Sequence, residues 1–444
     1  MKPAAHSDSR PSIVMVAYHF PPQAGSSGQL RTLKFTRYLP ALGWQPVVVT
    51  AHPRAYESTD LGTNKALPQD LPVTHAFALD TKRHLSFRGR YPDFLALPDR
   101  WAGWILGAVP ATLRAIRRHR AEVLFTTFPV CSAVLTGLIV QRLTKIPWIL
   151  DLRDSMTEEA YPRNPRTRRV WRWIERHSVQ RASRILFTTP ATRRMYLERY
   201  PSLAPEKCLV ISNGYDEQDF LALLLRDHRA ITDSRPLRLV HSGTLYPEER
   251  DPRPFFQALA RLKSEAVIGK DTLQIVFRAP GSEDFFRQLI AQNNIADIVH
   301  LEPHVPYQQS LQECADADAL LLFQAANCDH QIPAKAYEYL RLARPILGLT
   351  SQTGDTAALL NEVGGATLLD LANADEIYHR LPIFLDAIRN GTHPLANRSK
   401  LSRYARQNQA ADLAQCLWDL RKASTRLVMS GTNGAASRAS SADH

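Results

Sequence analysis

Short apolar runs recur along the chain, separated by stretches whose apolar residues return every three or four positions. In the first half the runs are SIVMVAYHF, QPVVVTAH, EVLFTTF, PWILDLRD, SRILFTTP and CLVISNGY. They are apolar throughout rather than alternating, which is the pattern of strands buried on both faces of a parallel sheet. Intervening segments such as GQLRTLKFTRYLPALG and AVPATLRAIRRHR carry helical periodicity. The unit is therefore βαβ and the sheet doubly wound. The alternation pauses over 221–236, LALLLRDHRAITDSRP, then restarts with LRLVHSGTLY, LQIVFRAPG, IVHLEP, DALLLFQA, RPILGLT and GATLLD.

The expected fold is α/β, with one doubly wound Rossmann-like domain over 11–220 and a second over 236–394. A helical tail should follow over 395–423, and the small, polar residues 424–444 are expected to be disordered. Two such domains facing each other make a cleft. Ligands of open α/β sheets bind at the carboxyl ends of the strands, so the polar residues that follow strands are the ones to weigh.

Composition narrows the partners. The 444 residues suit two or three domains, and no run of about 18 apolar residues proposes a membrane span. The start, MKPAAHSDSRPS, lacks the apolar centre of a signal peptide, and five scattered cysteines without CxxC spacing fit a reducing compartment. A cytoplasmic protein without a zinc cluster is the expectation. The net charge of +12 points to polyanions: nucleic acid, phosphate-bearing small molecules or an anionic membrane face. No nucleic-acid-binding motif accompanies the charge, so nucleic acid is set aside. The arginines concentrate in 163–184, RNPRTRRVWRWIERHSVQRASR. That segment reads either as a helix packed through Val170, Trp173 and Ile174, or as a basic platform for peripheral contact with anionic membrane. WAGWILGAVP, 101–110, joins the second reading unless it is simply a buried helix start.

At the first strand end, HFPPQAGSSGQLR brackets two serines with Gly25 and Gly28 before a helix. This is either an ordinary βα turn or a phosphate loop on a helix N-terminus. The spacing is not GxGxxG, and no acid closes the second strand, which argues against a dinucleotide dehydrogenase. In PWILDLRDS, Asp151, Arg153 and Asp154 close an apolar strand. Asp154 could orient an acceptor hydroxyl, or Arg153 could neutralise both aspartates as a structural knot. In LVHSGTLYPEERDPRP, Gly243 and Thr244 sit at a strand end, with Arg250 and Arg253 beyond. The arginines form a phosphate fork, or are balanced by Glu248, Glu249 and Asp251.

The most informative stretch is QIPAKAYEYLRLARPIL, in which Lys335 and Glu338 share a helix face one turn apart. In isolation they read as a surface ion pair. The strand ADALLLFQA ahead of them puts both in the first turns of a helix that starts at a sheet's carboxyl edge. A helix N-terminus with a lysine is an anion site, and a glutamate one turn on can accept from the vicinal hydroxyls of a ribose. Diphosphate plus ribose describes a nucleotide-sugar.

Taken together, these stretches resemble the GT-B-fold glycosyltransferases of the large retaining family 4, and bacterial members that build surface polysaccharides most of all. The resemblance runs from YHFPPQAGSSGQLRTLKFTRYLPALGWQPVVVT through DLRD, ISNGYDEQDF and HSGTLYPEERDPRP to IPAKAYEYLRLARPIL. It implies that Gly25 and Gly28 lie under the donor phosphates and beside the acceptor. It further implies that Arg250 and Lys335 contact the diphosphate, and that Glu338 is the second, ribose-binding glutamate of an E-x7-E motif. His330 stands where the first glutamate of that motif is usual. The reaction so implied retains anomeric configuration, needs no metal or other cofactor, and moves a sugar from a nucleotide-sugar donor to a glycan or lipid-linked acceptor. DADA at 316–319 has DxD spacing but leads into an apolar strand, so a structural role is expected. Two alternatives remain at this point: a non-catalytic nucleotide-sugar-binding scaffold, motivated by His330, and a nucleotide-sugar epimerase of the same architecture.

Overall fold

The computed structural model describes residues 10–439, apart from 25, 26, 89, 225–230, 232, 233 and 248. The chain forms two compact units, one made of Met1–Thr188, Thr192–Ile211 and Gln407–His444, the other of Thr189–Ala191 and Ser212–Arg406.

The first unit is built on a seven-stranded sheet. In chain order its strands are β1 (Ser12–Val16), β2 (Gln45–Ala51), β3 (Val73–Ala76), β4 (Val123–Thr127), β5 (Trp148–Leu152), β6 (Arg184–Phe187) and β7 (Cys208–Val210). All pairs are parallel, in the order β3-β2-β1-β4-β5-β6-β7. β1, β4 and β5 are buried at every position, as strands covered on both faces must be. Alternate side chains serve opposite faces. Val14 and Val16 join one core with Val47, Val49, Leu124 and Leu150, while Ile13 and Met15 join another with Val48, Phe125 and Ile149.

That second face is covered in part by the end of the chain. A helix over Arg406–Ala439 lays Ala410, Leu413, Leu417 and Leu420 on it, beside Leu33 and Phe35 of the helix Leu30–Tyr38 and Leu39 just after it. The spacing of three and four is the core stripe of an amphipathic helix. Trp418 meets Trp44 edge to face at 5.2 Å. The segment expected as a separate tail from 395 thus divides, and from Gln407 onward it completes the first unit. The helix runs through 424, where disorder was expected to begin, as far as Ala439; 440–444 lie outside the described residues.

The second unit repeats the topology with six strands: β8 (Leu237–Ser242), β9 (Leu273–Arg278), β10 (Val299–Glu302), β11 (Ala319–Gln324), β12 (Ile346–Thr350) and β13 (Ala366–Leu369). Their order, β10-β9-β8-β11-β12-β13, is again fully parallel. Each sheet therefore reverses its winding once, between β1 and β4 in one and between β8 and β11 in the other. Those switch points open crevices at the strand ends.

Among the described residues no helix is long and apolar enough to cross a membrane. The arginine-rich segment forms the helix Pro165–Arg181, begun by Asn164, whose side-chain oxygen accepts from the amides of Arg166 and Thr167. Trp171 and Ile174 face the core, whereas Trp173, expected to pack inward, is half exposed beside Arg166, Arg169 and Arg172 on the outer face. Upstream, Trp104 is fully buried and Leu106 exposed.

Candidate functional site

At the switch point of the second sheet, the chain leaves β8 through Gly243 and leaves β11 through a short loop into the helix Ala334–Leu342. Pro333 caps that helix, and Ala343 ends it in a left-handed conformation ahead of Pro345. Ala336, Tyr337 and Leu340 fix the helix by packing on Val240, Leu320 and Leu322. Tyr339 ties it to β8, its hydroxyl accepting from the Ser242 amide at 2.9 Å. With that face spent on packing, Lys335 and Glu338 are left half-buried along the edge.

Lys335 reaches back under the end of β8. Its Nζ lies 3.0 Å from Nε2 of the fully buried His241, whose Nδ1 is 2.8 Å from the Leu321 carbonyl. A carbonyl can only accept, so the imidazole proton sits on Nδ1 and Nε2 accepts from the ammonium. One Nζ–H is committed; two remain. Burial holds His241 far below the usual histidine range, with Lys335 adding to it, so the ring is neutral. Burial likewise lowers the Lys335 ammonium to about 7, and the positive charge of Arg250 contributes. Gly243 makes this approach feasible: its φ is +101°, and a Cβ there would stand 3.1 Å from Nζ.

Arg250 closes the other side of the loop. One of its terminal amino groups donates to the Thr244 carbonyl at 2.7 Å, and the guanidinium lies 5.3 Å from the Tyr246 ring centre. Its Nε is buried and has no hydrogen-bond partner among the described residues. A buried donor left open is costly unless something else accepts from it. Arg253, by contrast, is spent on Asp251 at 2.6 Å, so the fork contracts to one arginine; Glu248 lies outside the described residues. Glu338 accepts from the Tyr307 hydroxyl at 2.7 Å, and burial raises its carboxyl above the ordinary range.

The carboxyl edge of the first sheet is different. Asp151 is fully buried, and Arg31 grips it from the first helix: Nε lies 3.2 Å from both carboxylate oxygens and Nη2 3.0 Å from Oδ1. Thr127 donates to the other carboxylate oxygen at 2.9 Å. Asp151 is therefore a packing residue rather than part of a phosphate or acceptor surface, because no part of it is exposed. Its knot is tied by Arg31, not by Arg153. The Arg153 guanidinium donates at 2.6 Å to the carbonyls of Phe128 and of Gly28, pinning the glycine loop to the end of β4. Burial lowers Arg153, and the charges of Asp154 and Asp151 oppose that shift, which puts Asp154, itself half-buried, in the same cluster. Gly25 lies outside the described residues.

Residues 28–214 match the family described as glycosyl transferase 4-like domain. A sequence search against curated proteins finds no match. Solved structures extend the likeness over both units. A sucrose-phosphate synthase from Thermosynechococcus elongatus is 12% identical with a TM-score of 0.62, over 93% of this chain and 100% of its own. Anabaena Alr3699/HepE, solved in complex with UDP-glucose, is 12% identical at a TM-score of 0.60, over 92% of this chain and 99% of its own. A UDP-GlcNAc 2-epimerase from Methanocaldococcus jannaschii, 12% identical, reaches 0.51 over 91% of this chain and 98% of its own. The fold is that of the GT-B glycosyltransferases.

Within the second Rossmann-like domain of this GT-B chain, the residues expected to bind donor sit together: Gly243, Thr244, Arg250, Lys335 and Glu338 all border one strand end. His330 follows β11 in the same loop, its carbonyl accepting from the Thr189 hydroxyl at 2.6 Å. Its neighbour Asp329 was not anticipated. One Asp329 oxygen accepts from Ser351 at 2.8 Å; the other is buried without a partner among the described residues. Gly354 leaves room for that oxygen, since a Cβ there would come within 2.8 Å of it. Arg31 and His241 also escaped the sequence reading. A histidine following the apolar pair Leu239 and Val240 within a strand, LRLVHSG, was the available signal for the second. No group of three His, Cys, Asp or Glu side chains able to hold a metal ion occurs among the described residues.

Proposed function

We propose that this chain transfers a sugar from a nucleotide-sugar donor to a glycan or lipid-linked acceptor, with retention, in the building of surface polysaccharide. The observation that carries the donor half is the convergence of Lys335, the open Nε of Arg250 and Glu338 at one switch point. Two cations beside a helix N-terminus suit a diphosphate, and a carboxylate one helical turn away suits a ribose. That the HepE structure holds UDP-glucose makes this donor the first to test.

In the proposed step the diphosphate leaves with the bond electrons from the anomeric carbon. Charge grows on its oxygens, and preorganised donors lower that cost. Lys335, with its pKa near 7, gains its full charge when the diphosphate arrives, while His241 holds the amine on line. Arg250 supplies the second cation. Asp329, through its open oxygen, and His330 are proposed to hold donor-sugar hydroxyls where a glutamate is usual. Asp154 is proposed for the acceptor side, with Arg153 keeping the glycine loop in place. The reaction is proposed to need no metal, so turnover should survive chelation by EDTA unchanged.

The test is thermal stabilisation by a panel of nucleotide-sugars, followed by a search for glycosylated product. Ligand at about 100 times its dissociation constant adds roughly 2.7 kcal/mol. No stabilisation by any donor removes the proposal. The epimerase with this fold supports a second reading, and a converted nucleotide-sugar formed with no acceptor present would select it. Donor binding with neither product would select a scaffold. Peripheral membrane contact at the cytoplasmic face is proposed through Arg166, Arg169, Arg172 and Trp173; pelleting with anionic vesicles that fails at low salt would dispose of it.

A further inference from the structure

The helix Tyr307–Asp316 joins β10 to β11 and starts at the same sheet edge as the helix Ala334–Leu342. Its first residue, Tyr307, follows Pro306, and the Tyr307 hydroxyl donates to Oε1 of Glu338 at 2.7 Å. The helix is well anchored. Leu311, Cys314 and Ala315 share a core with Tyr339 and Leu340, and the Ser310 hydroxyl lies 2.6 Å from that of Ser242 at the end of β8. Tyr307 is nevertheless 41% exposed, so apolar packing alone does not ask for a large ring at this place. What the structure uses is the hydroxyl.

Glu338 needs such a partner for two reasons. A glutamate is rich in side-chain rotamers, and a carboxylate that must meet two hydroxyls at once has to give that freedom up. Its charge is also opposed. Burial raises the Glu338 carboxyl, the Tyr307 hydrogen bond works against that shift, Asp219 adds to it, and Lys335 and Arg406 pull it back. The donor role of Tyr307 is fixed as well, because burial and the neighbouring Glu338 charge hold its phenol far above the ordinary range and it keeps its proton.

An ionised carboxylate has about four acceptor sites. Tyr307 fills one of them and fixes the plane of the rest. A ribose brings two adjacent hydroxyls, both donors, where a deoxyribose brings one. We propose that Tyr307 is a positioning residue that makes Glu338 a reader of both ribose hydroxyls, so that the chain takes ribonucleotide-sugars and discriminates against their 2′-deoxy counterparts; the word ribose rests on the nucleotide-sugar reading. A carboxylate free to turn would accept from a single hydroxyl with little loss. One held from a second helix leaves an acceptor unmatched when the 2′-hydroxyl is missing, and an unmatched polar group is what a binding site penalises most.

The test compares the affinity of the full chain for UDP-glucose and for its 2′-deoxyuridine analogue. The wild type should prefer the ribonucleotide about tenfold or more. Tyr307→Phe, which keeps the ring and loses the hydroxyl, should weaken UDP-glucose about fivefold and bring the preference down to about twofold. Calorimetry of the ligand-free variant checks its fold; if Tyr307→Phe does not fold, Tyr307→Ala, at an exposed helix start, takes its place with the same loss of preference expected. An unchanged preference in a folded variant overturns the proposal even where binding is weaker, since a merely structural role weakens both donors alike. Tighter binding of UDP-glucose by the variant overturns it too, because the hydroxyl would then be a cap that the ribose has to displace. Equal affinity of the wild type for the two donors overturns the inference and leaves the diphosphate assignment standing. Binding of neither removes the donor reading and this inference with it.

Discussion

The two sheets share one strand order yet spend charge in opposite ways at their switch points. In the first, the acid at the end of β5 is buried and saturated: Asp151 has Arg31 and Thr127, and neither member of the ion pair is open to solvent. In the second, positive charge is left over. Lys335 leans on a neutral histidine, Arg250 on a carbonyl and a ring, and one buried guanidinium N–H has no partner among the described residues. The shared strand order thus carries a braced acid in one place and uncompensated positive groups in the other. Strand order locates a crevice; the residues at the strand ends decide what it is for.

That contrast is sharpest under mutation. Asp151→Ala strands a buried arginine, and breaking such a pair costs about 3–5 kcal/mol. It should lower the melting temperature strongly, and lost activity should track lost fold. Lys335→Met should do the reverse: turnover falls by about 10²-fold or more, as for a removed transition-state donor, while calorimetry finds a folded chain. If Lys335→Met unfolds the protein, or Asp151→Ala leaves its stability intact, the assigned difference between the sheets is wrong.

The next effect is smaller and comes from pH. Lys335 in the free chain titrates near 7, and a bound diphosphate favours the charged form. Donor affinity should therefore be flat on the acid side and decline as pH rises through 7, by up to about tenfold per unit, since one proton is linked. UDP-glucose is the proper probe, because its diphosphate is esterified at both ends and keeps a constant charge. Lys335→Met should bind more weakly and without this slope. A slope of opposite sign, or an unchanged slope in the variant, would place the titrating group elsewhere. Stability carries the mirror image: the unfolded lysine holds its proton to about 10.4, so between 7 and 10 the unfolded state binds more protons and wild-type stability rises with pH.

Much of this was legible in the chain because burial writes a plain signature. Strands covered on both faces, such as VLFTT and ALLLFQ, read as unbroken apolar runs. The strand that left no such trace is β3, VTHA: it lies at a sheet edge, its Thr74 and His75 are exposed, and nothing about it is continuous. That Lys335 and Glu338 share one helix edge was legible in helix spacing, a local property. Asp151 was misjudged because its partner stands 120 residues away in sequence, and a single sequence does not say which arginine closes over which acid. His241 was passed over for the same reason. Its role exists only once the helix at 334 has packed against β8. The covering of the first sheet by Leu413 and Leu417 is the longest-range example, joining the end of the chain to its beginning.

The finest cut through the comparison uses two glycines in the same unit. Gly243 and Gly364 both have positive φ, +101° and +79°, so an alanine at either is strained by on the order of 1–3 kcal/mol. Their surroundings differ. A Cβ at Gly364 would have the Leu395 carbonyl at 4.0 Å as its nearest neighbour, whereas at Gly243 it would stand 3.1 Å from Lys335 Nζ. Gly364→Ala should therefore lower the melting temperature and leave UDP-glucose affinity alone. Gly243→Ala should lower both, the affinity by about fivefold if the displaced amine loses roughly 1 kcal/mol with the diphosphate. Both melting curves should shift, while only the Gly243→Ala binding isotherm moves. Equal affinities in the two variants would mean that the lysine beneath Gly243 does not meet the donor, because strain alone is common to both.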